Sequence, residues 1–342
     1  VPAAEDDPFQ DLLGARTLGQ CGTEGVALHA ALRHAVVGGK RFRPWLVGLT
    51  HDSCAGTRPE AVAAVGAGVE LLHTAFVVHD DVIDGDRTRR GRPSVPEGFR
   101  VAALGRDVPD ERAELYGLAG AVLTGDLALA AAVRAVATAP VPPAVTHRLL
   151  DLVDQALAVT AAGELADVRL ATHPGHPTLA DVLSMEERKT AVYSFALPMQ
   201  LGAVLADAPD EVVHALGEVG RHLGLAFQLQ DDLLGVFGDS ASTGKSTVND
   251  LREGKCTALI THARSTAGWL EIEPHWGAVD LDDARAALVR DALERCGSRG
   301  FVEDLVTDYV ATATDAGAAV GLPAALLSDL AGLCTVPVRG AA

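Results

Sequence analysis

Residues 60–84 read EAVAAVGAGVELLHTAFVVHDDVID. Apolar side chains recur at helical spacing along the stretch, which predicts a long buried helix over Glu60 to Asp84 with its charge gathered at the end. At about 100° per residue, Asp80 and Asp84 share one face and Asp81 lies beside it, so three carboxylates converge. Their repulsion and the negative end of the helix dipole make the cluster unfavourable unless a cation occupies it. Ligands that are carboxylates alone favour a hard ion, Mg2+ before Zn2+. Taken alone, such a cluster is equally a solvated acidic helix end.

A second cluster changes that balance. Residues 227–235, FQLQDDLLG, again place a carboxylate pair, Asp231 and Asp232, late in an apolar helix, with Asp239 following. Two acidic helix segments facing each other across a cavity would suit a metal-chelated diphosphate, because Mg2+ takes few carboxylates and completes its shell with water and phosphate oxygens. Cationic residues flank both: GGKRFRP at 38–44, RTRRG at 87–91, and Lys189, Lys245 and Lys255. Arg grips phosphate bidentately and Lys acts as a point charge.

The rest of the chain reads as helix. Candidates are Tyr116 to Thr138, Pro143 to Leu170, Leu179 to Leu205, Pro209 to Val236, Asp282 to Cys296, Gly300 to Ala318 and Pro323 to Leu333, and no sustained strand pattern appears. Starts are signalled by Thr57 before Pro59 and Glu60, Thr178 before Asp181, and Asp207 before Pro209. Arg87 to Glu111, Asp239 to Lys255 and Thr266 to Asp280 read as loops. Aromatics at 4% within a 48% hydrophobic composition suit closely packed helices. A net charge of −18 excludes generic nucleic-acid binding. Five scattered cysteines without a CxxC pair suit a reduced, cytoplasmic protein, and Asp126 breaks the apolar run Leu118 to Val133, so no stable membrane insertion is expected.

The ordered set Gly39 to Pro44, Glu70 to His73, His79 to Asp84, Arg89-Arg90-Gly91, Gly125-Asp126, Lys189-Thr190, Phe227-Gln228 with Asp231-Asp232, Gly244-Lys245 and Lys255 resembles the trans-isoprenyl diphosphate synthase (polyprenyl synthetase) family. The resemblance implies an all-α, large single-domain helical bundle of isoprenoid synthase type over residues 1–342, with a motif-bearing core at about 30–260, a peripheral loop at 266–280 and C-terminal helices at 282–333. It implies condensation of an allylic diphosphate with isopentenyl diphosphate, about three Mg2+ ions and a homodimer. Asp80, Asp81, Asp84, Asp231, Asp232 and, as an outer ligand, Asp239 would hold metal. Arg89, Lys189 and Lys245 would contact the allylic diphosphate, and Gly39, Lys40, Arg43, His73 and Arg90 the isopentenyl diphosphate. Lys255 is a further substrate-binding residue, and Thr190 and Gln228 lie along the reacting carbons. Asp80, Asp81, Lys189, Thr190, Gln228 and Asp231 are the catalytic set, and Ala75 and Phe76 would set chain length.

Gly235 stands where the family commonly has a third aspartate. Asp239 is offset from Asp231 by about 80° and roughly 12 Å on an ideal helix, which makes it a water-mediated or outer ligand. STGKST at 242–247 resembles a P-loop end, but the glycine spacing fails. His79 is read as a packed or supporting residue. A short product is expected, geranylgeranyl ahead of farnesyl. Two alternatives stand beside the synthase: a class I terpene cyclase, disfavoured by the cationic 38–44 segment, and a non-catalytic partner subunit.

Overall fold

A computed structural model describes residues 14–39, 41–172, 175–238 and 249–334. In chain order its helices are α1 Ala15–Leu18, α2 Gly22–Val36, α3 Phe42–Ser53, α4 Pro59–Ile83, α5 Val95–Leu104, α6 Asp110–Ala137, α7 Pro143–Thr172, α8 Leu179–Glu186, α9 Leu197–Leu205, α10 Asp210–Phe237, α11 Asn249–Glu253, α12 Ala258–Arg264, α13 Trp269–Ile272, α14 Asp283–Arg295, α15 Ser298–Ala319 and α16 Ala324–Gly332. A π-helical segment, Glu187–Ala196, joins α8 to α9. The strands among the described residues are β1 Thr88–Arg89 and β2 Arg92–Pro93, an antiparallel pair. The all-α expectation holds.

Two compact units are distinguished, Val1–Val153 with Leu201–Asp207, and Asp154–Gln200 with Ala208–Ala342. In the first, α4 packs along α6, α3 covers α4, and α5 lies on α6. Val65, Leu71, Leu72, Leu46 and Val47 are 0–1% exposed there. Each such side chain contributes about 1.5–3 kcal/mol on leaving water. A Cβ on Gly68 would lie 3.0 Å from the Ala132 carbonyl, so the absent side chain lets α4 and α6 approach closely. Both helices are long and apolar enough to cross a membrane by length and composition, yet 67% of the apolar window of α4 is buried inside the protein.

In the second unit, α10 packs against both the π segment and α15. A capping box starts α8 as the sequence indicates: Asp181 N donates to Thr178 Oγ1 at 3.2 Å, and Thr178 N donates to Asp181 Oδ2 at 3.0 Å.

Several boundaries differ from the sequence reading. Arg87 to Glu111 is not a plain loop, since it holds the β hairpin and all of α5, capped by Ser94 and begun with Pro96 in its first turn. Helix α6 begins at Asp110 rather than Tyr116, and the 266–280 segment contains α13. The N-caps of α4 and α10 are Arg58 and Pro209, not Thr57 and Asp207.

Candidate active site

Helix α4 ends at Ile83, with Asp84 as its C-cap and Gly85 in the left-handed region beyond. Asp81 is 2% exposed, whereas Asp84 is exposed. Opposite them stands the hairpin that follows. Its central residues Arg90 and Gly91 have φ of 54° and 70°, the paired positive values of a type I′ turn, which matches the twist of two short strands.

The hairpin aims its two arginines at different targets. Arg89 donates from Nε to Asp81 at 2.6 Å and from an Nη to Asp86 at 2.9 Å and Asp80 at 3.3 Å. Burial nevertheless lifts the Asp81 carboxyl to about 6, against the pull of Arg89 and with a further push from Asp86 and Asp80. Arg90 instead lies over the Gly38-Gly39 turn, where a Cβ on Gly39 would be 3.3 Å from both its Nη atoms.

That turn opens a cationic pocket. Arg41 caps α3 and approaches the buried Glu70 at 3.5 Å while donating to the Val36 carbonyl. Arg43, the second residue of α3, is buried. Burial first, and then the positive charges of Arg43, Arg90, Arg89 and Arg41, hold the His73 imidazole well below its usual range, so it is neutral near pH 7. Beside His73 lies a cavity of about 200 Å³, bordered by Gly38, Glu70, Asp81, Arg89 and Arg90 among others. Four guanidinium groups around a neutral imidazole make a site for a polyanion.

His79 turns elsewhere. Its Nε2 lies 3.5 Å from Asp126 on α6, and a Cβ on Gly125 would stand 2.2 Å from the ring, so Gly125 makes room for it. The acidic end of α4 is thereby left as a set of carboxylate oxygens without imidazole or thiolate, which fits Mg2+. Ala75 is buried and Phe76 half-buried on the same helix.

In the second unit, Lys189 sits in the π segment and donates to Glu164 at 3.1 Å and Asp167 at 2.7 Å on α7. Gly163 allows this approach, because a Cβ there would be 2.3 Å from the Lys189 backbone nitrogen. Gln228 donates to Asp232 at 2.9 Å across one turn of α10. Glu186, 4% exposed, also contacts Asp232. Burial, and then Asp232 and Asp167, raise its carboxyl well above the ordinary range. Asp231 is exposed and Thr190 half-buried. Lys255 lies just past α11, 3.0 Å from Glu253.

A model of the polyprenyl synthetase family matches residues 26–271. This chain belongs to the polyprenyl synthetase family. It is a prenyltransferase of the short-chain isoprenyl diphosphate synthase type. Over 284 residues it is 31% identical to the geranylgeranyl diphosphate synthase of Methanosarcina mazei, spanning 83% of this chain and 81% of the relative. It is 34% identical over 304 residues to the (2E,6E)-farnesyl diphosphate synthase of Mycobacterium tuberculosis, 86% of this chain and 78% of that one. Among solved structures, the geranylgeranyl pyrophosphate synthase of Corynebacterium glutamicum, complexed with isoprenyl diphosphate and magnesium, aligns with a TM-score of 0.87 at 28% identity, covering 96% of this chain and 95% of that chain.

Within this polyprenyl synthetase, the first unit gathers Gly39, Arg43, His73, Asp81, Arg89 and Arg90, and the second gathers Lys189, Gln228 and Asp232. Lys40, Lys245 and Asp239 fall outside the described residues. Sequence reasoning did not single out Asp86, Glu164, Asp167 or Glu186. Glu164 and Asp167 lay unremarked within the long helix candidate Pro143 to Leu170, and the buried Glu186 was hidden in the polar run MEERKT. An i, i+3 acidic pair on α7 was the signal available for Glu164 and Asp167.

Proposed function

We propose that this polyprenyl synthetase condenses an allylic diphosphate with isopentenyl diphosphate, head to tail, to give geranylgeranyl diphosphate in preference to farnesyl diphosphate. The carrying observation is the hairpin that sends Arg89 to the acidic end of α4 and its neighbour Arg90 to the cationic Gly38-Gly39 turn. A cyclase acting on one allylic diphosphate has no use for that second polyanion site.

In this reading Asp80, Asp81 and Asp84, and in the other unit Asp231 and Asp232, hold about three Mg2+ ions, with Asp239 an outer ligand. Bound Mg2+ offsets the charge that develops on the diphosphate leaving group. Arg89, Lys189 and Lys245 grip that same diphosphate, and their fixed charges favour C–O cleavage because charge grows there in the transition state. Gly39, Lys40, Arg43, His73 and Arg90 orient isopentenyl diphosphate, and Lys255 adds a further substrate contact. Thr190 and Gln228 border the allylic cation as the isopentenyl double bond attacks it. The proton then leaves to the departing diphosphate. Water must be excluded throughout.

Chain length is the finer part of the proposal. Phe76, one turn before Asp80, is its floor and the small Ala75 sits beside it. Relatives at 31–34% identity carry farnesyl, geranylgeranyl and geranylfarnesyl names, so the residues at this floor are what we take to separate the products. The whole chain acts as one catalytic domain in the cytoplasm, and a second copy covers the exposed Leu115, Leu118, Val122 and Leu123 of α6.

The test is incubation of the protein with Mg2+, isopentenyl diphosphate and dimethylallyl, geranyl or farnesyl diphosphate, with product length read by chromatography. A C20 product, lengthened in Phe76→Ala, is expected. Absence of turnover with any primer would sink the proposal, and an unchanged product from the variant would remove Phe76 as the floor.

A further inference from the structure

The segment after α13, peripheral by its sequence, is bonded to the turn that carries Lys255. Arg252, in α11, donates from Nε and Nη2 to the Leu281 carbonyl at 2.8 and 2.6 Å. The Gly277 amide donates to the Leu251 carbonyl at 2.8 Å. The Trp276 indole N–H reaches the Lys255 carbonyl itself at 3.4 Å. Where the two strands of chain cross they nearly touch, for a Cβ on Gly254 would lie 3.2 Å from the Gly277 Cα. Gly254 and Gly277 have φ of 66° and 76°, so a side chain at either would be strained as well as crowded.

The contacts are anchored at their far ends. Leu251 and Leu281 are 1% and 0% exposed, and the Arg264 guanidinium lies over the Trp276 ring, 4.4 Å from its centre. Helix α11 has five residues, too few to hold its own conformation in water. The place of Lys255 is therefore set by what its backbone is tied to, and its ammonium rests 3.0 Å from the Glu253 carboxylate on the same short segment.

We propose that residues 276–281 form a brace that fixes Lys255 for substrate binding, with Arg252, Trp276 and Gly277 as positioning residues. This rests on the reading of Lys255 as a substrate-binding residue. The brace acts through backbone carbonyls, so its loss displaces the lysine without altering any group that meets substrate.

Steady-state kinetics on the full chain test it, with KM measured separately for isopentenyl and farnesyl diphosphate. Lys255→Ala identifies the substrate whose KM depends on the lysine. Arg252→Ala and Trp276→Phe should raise that same KM by roughly three- to tenfold, with kcat and the other KM unchanged. Arg252→Lys, which keeps a donor for the Leu281 carbonyl, should give a smaller rise. Combined with Lys255→Ala, neither brace variant should add a further rise. Circular dichroism confirms that each variant is folded, and Trp276→Phe keeps an aromatic ring beneath Arg264. If Lys255→Ala shifts a KM but the brace variants shift neither, or shift both, or add to it, the brace is wrong and the lysine reading stands. If Lys255→Ala shifts nothing, the lysine reading falls and the brace falls with it.

Discussion

Arg89 is the internal counter-ion of the acidic helix end, and replacing it by methionine should reveal how much of the fold depends on that charge. Methionine keeps an apolar stem and removes the guanidinium. Arg89 is 33% exposed and Asp81 2% exposed, so their contact lies between a surface pair and a buried one. Breaking a buried pair by removing one partner destabilises by about 3–5 kcal/mol, and the partial exposure places this case near the lower end, about 3 kcal/mol at pH 8. The Asp81 carboxyl stands at about 6 in the folded protein, above its ordinary 3.8. A raised acid binds its proton more tightly when folded, so its charge opposes folding as pH climbs through 4 to 6, and more so without Arg89. At pH 5 Asp81 is mostly neutral, and only the contacts to Asp80 and Asp86 remain to be lost, each worth about 1 kcal/mol or less. The Arg89→Met loss should therefore shrink by roughly 2 kcal/mol between pH 8 and pH 5. Urea denaturation of the metal-free protein, followed by circular dichroism at both pH values, measures it. Asp81→Asn in the Arg89→Met background should recover most of the pH 8 loss. An equal loss at both pH values, or no recovery in the double variant, would refute the counter-ion account.

Other outcomes follow from single contacts. His73 is held neutral when folded, so below about pH 6.5 the unfolded chain takes up a proton that the native one refuses, and stability falls by about 1.4 kcal/mol per pH unit. His73→Asn should remove this contribution, so the slope of stability against pH between 6.5 and 5 should drop by about that amount relative to wild type, and an unchanged slope would show that the imidazole is not desolvated. Gly125→Ala puts a methyl 2.2 Å from the His79 ring and should destabilise by about 1–3 kcal/mol in thermal melts. Adding His79→Ala should relieve it; if the loss persists, the ring is not what Gly125 accommodates. Thr178→Ala removes a capping box and should lower stability by about 1 kcal/mol without changing KM for either diphosphate, which kinetics and calorimetry together can check.

Helix α4 was legible because its apolar periodicity runs unbroken to the aspartates, and burial enforces that pattern at every turn. The clustering of Arg41, Arg43, Arg89 and Arg90 about His73 was legible only as a list of cations, since three separate segments bring them together. Helix α5 was missed because its Gly and Pro content suggested loop, although Ser94 followed three residues later by Glu97, with Pro96 between, spells a helix start. The π segment left no periodic trace. Its placement depends on glycines in other helices, Gly163 on α7 and Gly224 on α10, where a Cβ would meet Lys189 at 2.3 Å and Ala191 at 2.4 Å. Glu186 was illegible for a related reason, because burial of a carboxyl beside Asp232 is a property of packing.

The turn at Arg90 carries one last consequence. Left-handed backbone is cheapest for glycine or asparagine, and a long side chain there is strained by roughly 1–2 kcal/mol. Arg90→Gly should thus yield a sturdier hairpin and a poorer catalyst. Selection for heat resistance alone would drift toward that glycine, while selection for turnover would restore the arginine. Residue 90 is a place where durability and activity pull one codon in opposite directions.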